Sequence, residues 1–172
     1  MGAAAPSLPP PPRLQELLFD AARLGRIDVI PALLLAGTDI EARDAKGYTP
    51  LILASYNGQK AATAMLLERG AIVDTPDGAR GNTALMGVAF KGYDAIAASL
   101  LAAGADVDAR NAAGQTALMM AALFDRHAIV NRLIAHGADP LLTDAAGNSA
   151  VSVARAQGNA AMAARLTSPR SA

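Results

Sequence analysis

Two histidines, His127 and His136, are the only imidazoles available for acid–base work or metal ligation. They stand nine residues apart and do not share a helix face, whereas a helical metal pair needs a spacing of three or four. Both read as surface side chains. Ser55, Ser99, Ser149 and Ser152 lack a Gly-x-Ser-x-Gly setting and a histidine in phase to serve as base. The absence of cysteine excludes thiolate nucleophiles, disulfides and zinc–sulfur sites together. Glycines are spread evenly and form neither a phosphate-cradling loop nor a dinucleotide fingerprint. Acidic residues do cluster, at Asp39, Glu41, Asp44, Asp74, Asp77, Asp106, Asp108, Asp139 and Asp144. Calcium ligation would use such a set, but no 12-residue calcium loop is present. Turn and cap chemistry explains the same residues, because short acids accept hydrogen bonds from nearby backbone. The expectation is no catalytic residue, no metal and no cofactor.

Bulk properties narrow the partner. Formal net charge is zero, so there is no basic excess to neutralise nucleic-acid phosphates. No apolar run approaches the ~20 residues of a membrane span. Hydrophobic residues make up 52% of the chain, yet only three Tyr and three Phe are aromatic and Trp is absent. Alanine and leucine must supply the core, which suits thin helices packed closely. Residues 1–13 read as a Pro-rich tail or linker, with Pro9 to Pro12 favouring an extended polyproline segment. Pro9 and Pro12 also fit a loose P-x-x-P spacing. Pro6 stands where a myristoylation start requires Ser or Thr. No secretory signal is visible; the expected location is cytoplasmic, or periplasmic if Met1-Gly2 replaces a removed signal peptide.

The elements that position all these residues are set by one repeated word. Gly47-Tyr-Thr-Pro-Leu51 recurs as Gly81-Asn-Thr-Ala-Leu85, Gly114-Gln-Thr-Ala-Leu118 and Gly147-Asn-Ser-Ala-Val151, at spacings of 34, 33 and 33. A second series, Gly37-Thr-Asp, Gly70-Ala-Ile, Gly104-Ala-Asp106 and Gly137-Ala-Asp139, keeps step with it. A fixed period of this size signals stacked repeats, none of which can bury its apolar side alone. Three- and four-residue apolar spacing begins at Leu14, with Leu17, Leu18, Ala21 and Ala22. Gly25 ends that helix, and a second one buries Ile27, Ile30, Leu33, Leu34 and Leu35. Later units each read as a turn-rich finger and two helices: Thr49 to Asn57 and Lys60 to Arg69, Thr83 to Lys91 and Asp94 to Ala103, Thr116 to Phe124 and Ala128 to His136, then Ser149 to Gln157 and Ala160 to Leu166. Units fall at 14–46 (N-terminal cap), 47–80, 81–113, 114–146 and 147–166 (C-terminal cap), with a tail over 167–172. Capping surfaces are expected at both ends.

The chain resembles the ankyrin repeat proteins. Gly47-Tyr48-Thr49-Pro50-Leu51 with Ala54 and Gly58, Leu66-Leu67 before Gly70-Ala71, and Leu100-Leu101 before Gly104-Ala105-Asp106-Val107-Asp108-Ala109 carry the likeness over residues 14–166. It implies an all-α repeat: an ankyrin solenoid of about five helix-turn-helix units joined by β-hairpin-like finger loops. The family histidine is replaced by Ile52, Met86, Met119 and Ser152, so these turns should depend more on apolar stacking. Asp125 stands where Gly58, Gly92 and Gly158 close the first helix elsewhere. Between Gly70 and Gly81 one finger is a residue longer, and Asp74 to Arg80 should be irregular. Leu51-Ile-Leu-Ala-Ser-Tyr-Asn-Gly58 and Ala84-Leu-Met-Gly-Val-Ala-Phe-Lys-Gly92 resemble short proteobacterial members.

Ankyrin proteins bind through finger tips and the exposed side of their first helices, and the resemblance carries that role to the positions that vary between copies. Tyr48 falls at a finger tip; Tyr56 and Phe90 are equivalent late in successive first helices; Leu123 is next in phase, with Phe124 beside it and Tyr93 past a turn. Large rigid side chains of this kind make binding hot spots. Lys46, Asn57, Arg80, Asn82, Lys91, Gln115 and Arg126 form the expected polar rim. Gly87, where siblings carry Leu53 and Met120, implies close helix approach beside Met86 and Met119. The reading is a soluble, monomeric, non-catalytic module whose partner is another folded protein, acting as adaptor, inhibitor or protective accessory. Self-assembly through repeat ends and an enzyme or small-ligand carrier are the alternatives.

Overall fold

The computed structural model describes residues 8–167. Among them are ten helices and no strand: α1 (Pro11–Leu24), α2 (Ile30–Leu35), α3 (Pro50–Tyr56), α4 (Lys60–Glu68), α5 (Ala84–Lys91), α6 (Asp94–Ala102), α7 (Ala117–Leu123), α8 (His127–Ala135), α9 (Ala150–Ala156) and α10 (Ala160–Thr167). They pair into five units. First helices α1, α3, α5, α7 and α9 pack in one row, and α4, α6 and α8 pack in another. No helix among the described residues is long and apolar enough to cross a membrane.

Each repeated word starts a helix by the same device. The Thr49, Thr83, Thr116 and Ser149 hydroxyls accept from the N–H of Ile52, Met86, Met119 and Ser152 at 3.2–3.4 Å. Such caps are worth about 1 kcal/mol each over Ala. Ile52, Met86 and Met119 are buried in place of the family histidine, as the apolar substitution implies. Leu51, Leu85, Leu118 and Val151 follow the caps into the core, and Leu66, Leu100 and Leu133 enter it from the second helices. Alanines 54, 89 and 121 are fully buried, so neighbouring helices approach closely.

The fingers are turns rather than strands. The same backbone bond helps close each: Asp44 N–H to Tyr48, Asp77 to Asn82, Asn111 to Gln115 and Asp144 to Asn148. The side chain at the same position caps the tip. Asp44 Oδ1 accepts from Lys46 and Tyr48, Asn111 Oδ1 from Ala113 and Gln115, and Asp144 Oδ1 from Ala146 and Asn148. The longer finger holds its additional residue at the tip, where Asp77 Oδ1 takes three donors, Ala79, Arg80 and Gly81, at 2.6–3.0 Å. Other finger acids stitch neighbours together. Glu41 accepts from Ile72 N–H and the Thr75 hydroxyl, Asp74 from Asp106 N–H, and Asp108 from Asp139 N–H.

Several boundaries move from their sequence positions. Helix α1 begins at Pro11, not Leu14, because prolines in a first turn lose no hydrogen bond there and their fixed φ suits the helix. Pro11 and Pro12 are therefore helical rather than part of an extended linker, while Pro10 at the N-cap keeps φ −61° and ψ 152°. Thr167 ends α10 instead of starting a tail; residues 168–172 and Met1-Gly2 lie outside the described residues. In the first unit, Ile30 and Leu33 are buried, whereas Ile27 is 41% and Leu35 85% exposed. Among the described residues that end carries little polar cover beyond Asp20 and Arg26. Leu8, Leu14, Leu17, Leu24, Val29 and Leu33 instead line an open apolar groove. The opposite end does change character: Ser152 and Arg155 are exposed where Ile52, Met86, Met119, Ser55, Ala89 and Ala122 are buried in the inner units.

Asp125 adopts φ 55°, the one positive value among described non-glycine residues. Its carboxylate accepts from Asn159 Nδ2 at 2.6 Å and lies 3.1 Å from His127 Nε2. Left-handed backbone costs an ordinary L-residue roughly 1–2 kcal/mol. Asp125→Ala should therefore lose about 1 kcal/mol in urea unfolding while Asp125→Gly stays near wild type. Equal losses would assign the position to its side-chain contacts instead of its backbone.

Candidate partner-binding face

Stacking in register brings the ends of successive first helices together. Tyr56 closes α3, Phe90 lies in the last turn of α5, and Phe124 caps α7. Tyr56 and Phe90 stack with centroids 6.3 Å apart and planes 7° apart. Phe90 meets Phe124 edge to face at 4.6 Å. The three rings form a continuous ladder across three units, yet each remains about 40% exposed, as does Leu123. Phe90 and Phe124 thus pack on their neighbours and still present surface. Lys91 Nζ sits 4.8 Å from the Tyr56 ring centroid, a cation–π contact worth about 0.5–1 kcal/mol at an exposed site.

Beside the ladder a notch of about 350 Å³ opens between α3, α5 and their fingers. Tyr48, Ile52, Tyr56, Met86, Gly87, Phe90 and Met120 supply its apolar wall, and Asp77, Arg80, Asn82 and Thr83 its polar side. Gly87 makes the notch possible. A Cβ there would stand 3.2 Å from Tyr56 Cδ2, so the close approach is to an aromatic ring rather than to the helix beside Met86 and Met119. Asp77 lies beneath the finger edge. Burial alone would raise its carboxyl, but the N–H groups of Arg80 and Ala79, the Asn82 side chain and the Gly81 N–H outweigh it, holding the carboxyl below its ordinary value.

The residues expected to act as one rim separate into groups. Arg80 and Asn82 line the notch with Tyr48. Asn82 and Gln115 are also tied to Asn111, whose Nδ2 donates to both side chains at 2.9 and 3.1 Å. They stiffen adjoining fingers, a role that spacing alone does not disclose. Asn57 donates to the Leu53 carbonyl, and Arg126 Nε donates to the Phe90 carbonyl at 3.2 Å, bracing the ladder. Lys46 is exposed on its finger outside the notch. Tyr93 stands apart, its ring over Gly58 in the turn between α3 and α4. Sequence reading missed Ile52, Asp77, Ala79, Thr83, Met86, Gly87 and Met120 as lining of the notch; the in-phase change from Leu53 to Gly87 was the available signal. His127 and His136 are exposed and bonded locally, to Asp125 and to the Arg132 carbonyl. Among the described residues no group of His, Asp and Glu is arranged to hold a metal ion.

A family model described as Ankyrin repeats (3 copies) matches residues 18–111 and 85–170. The chain is also similar to Ankyrin repeat domain-containing protein SAT10 of Stachybotrys chartarum, 41% identical over 64 residues. That match covers 37% of this chain and 3% of that protein. The relative is fungal, so it adds nothing to the proteobacterial likeness.

Gly87→Ala separates stability from site geometry. Removing a helix glycine is worth up to about 1 kcal/mol, while the new methyl must push the Tyr56 ring aside. Expected are unchanged or slightly raised stability and altered Tyr56 and Phe90 ring proton shifts by NMR. Unaltered shifts would show that Gly87 does not fix the ring.

Proposed function

Because the chain belongs to the ankyrin repeat family, we propose that it is a non-catalytic interaction module that binds a folded partner protein on the face formed by its first helices and finger tips. The observation that carries this reading is the exposed ladder Tyr56–Phe90–Phe124 in a chain with only six aromatic residues. Half its aromatics stand in one surface row instead of filling the core. Rings already braced by stacking, by Lys91 and by Arg126 lose little freedom on binding, so more of the contact energy appears as affinity. Tyr48, Leu123, Arg80 and Lys91 surround the anchors as rim, and Lys46, Asn57, Asn82, Gln115 and Arg126 frame them. The phrases resembling short proteobacterial members support an accessory role in a bacterial cell, as adaptor, inhibitor or protective subunit.

The apolar groove at the N-terminal end supports a second reading, in which two copies associate through that end. A molar mass rising with concentration in light scattering would mark it.

The test of the first reading is affinity capture from native cell extract with wild type and with Tyr56→Ala, Phe90→Ala and Phe124→Ala. Each variant should retain the wild type's partner about tenfold less strongly, a loss of about 1.4 kcal/mol, while still melting cooperatively. Folded variants that retain the same partner undiminished would remove the ladder from the interface.

A further inference from the structure

Charge is sorted unevenly over this structure. The chain has 15 acidic and 15 basic residues, but the two signs are used differently. Glu41, Asp74 and Asp108 are engaged by backbone N–H groups of the next finger. Asp44, Asp77 and Asp144 are engaged by their own finger tips. These carboxylates belong to the scaffold. Around the aromatic ladder the cations are left without a carboxylate partner. Among the described residues, the ion pairs are Arg13–Glu16, Arg23 with Asp20 and Asp44, Arg26–Asp28, His127–Asp125 and Arg132–Asp94. None includes Lys46, Arg80, Lys91 or Arg126. Arg80 lines the notch, Lys91 lies over Tyr56, and Arg126 braces Phe90.

We propose that this face takes a partner segment carrying one aromatic or aliphatic side chain flanked by carboxylates. The apolar group enters the notch beside Tyr56 and Phe90, and the carboxylates meet Arg80 and Lys91. The inference rests on the reading of this face as the binding surface and names the chemistry of what binds there. The notch, at about 350 Å³, has room for one large side chain between apolar walls. Arg80 offers the planar donor pair that binds a carboxylate through two parallel bonds. Lys91 is already held in place by the Tyr56 ring. Opposite charge on the partner would also speed encounter and reject basic competitors. A nucleic acid fits less well: it needs a longer track of phosphate contacts than Arg80, Lys91 and Arg126 provide, on a chain of zero net charge.

A displayed library of random dodecapeptides, selected on the full chain, tests this directly. Enriched peptides should carry Phe, Trp or Leu beside several Asp or Glu. A synthetic consensus peptide should bind at least about tenfold more weakly when its acids become Asn and Gln, and likewise to Arg80→Gln/Lys91→Gln. That double variant should still melt cooperatively, lowered only by the lost Lys91 contact to the Tyr56 ring, and added salt should weaken the wild-type complex. Enrichment of basic or uncharged peptides overturns the proposal, as does equal binding by the double variant or no enrichment. Displacement of the consensus by an oligothymidylate, with tighter binding than the peptide, would reassign the face to nucleic acid. If the peptide result fails while Tyr56→Ala and Phe90→Ala still abolish native capture, the binding face stands and only its proposed charge chemistry falls.

Discussion

The contact on which this structure depends is backbone against backbone between neighbouring fingers. Gly78 N–H donates to the Gly47 carbonyl, Ala112 to Arg80, and Ala145 to Ala113, each at 2.9 Å. A Cβ on Gly47 would lie 2.8 Å from the Gly78 backbone, and one on Gly114 would lie 3.1 Å from Ala145 N. The glycine that opens each repeated word therefore meets two demands, a left-handed turn (φ 82° at Gly47) and room for the next finger. At Gly147, beside which the described residues place no further finger, a Cβ would meet nothing within 4 Å and only the turn remains. Finger spacing fixes first-helix spacing, which sets the distance between Tyr56, Phe90 and Phe124.

The division of labour along the sequence follows from that constraint. Positions that face a neighbouring unit are nearly invariant across copies: a hydroxyl cap, a small residue, an aliphatic, and a buried alanine. The position near the end of the first helix faces outward and is Tyr56, Phe90, Leu123 and then Ala156. Its apolar bulk falls away toward the C-terminal end, so the anchor surface centres on the middle units. Those units also receive Gly87 and the longer Asp77 finger, and the notch forms where the two irregularities meet. Departures from the repeat, rather than the repeat itself, make the proposed site.

What could be read in advance divides along the same line. Helix starts at Thr49, Thr83, Thr116 and Ser149, the irregular finger and the left-handed Asp125 depend on residues close in sequence, and the in-phase aromatics on the repeat period, so all were legible there. The position of Asn82 depends on Asn111 in the adjoining finger, a contact across 29 residues, whereas Gln115 meets Asn111 within its own finger. Gly87 was visible as an anomaly, but its meaning lies in the Tyr56 ring one unit away. The uncapped apolar N-terminal end escaped the sequence for a different reason. Leu24 and Leu35 have ordinary helical spacing, yet they occupy positions that the other units also leave exposed, as at Asn57 and Glu68.

The most direct measurement is an NMR map of the full chain, free and with its captured partner bound. The account predicts that side-chain and amide shifts change at Tyr48, Tyr56, Arg80, Phe90, Lys91 and Phe124, while α4, α6 and α8 remain as in the free protein. Changes centred on those second helices, or on the groove around Leu17, Leu24 and Leu33, with the aromatic ladder undisturbed, would contradict it.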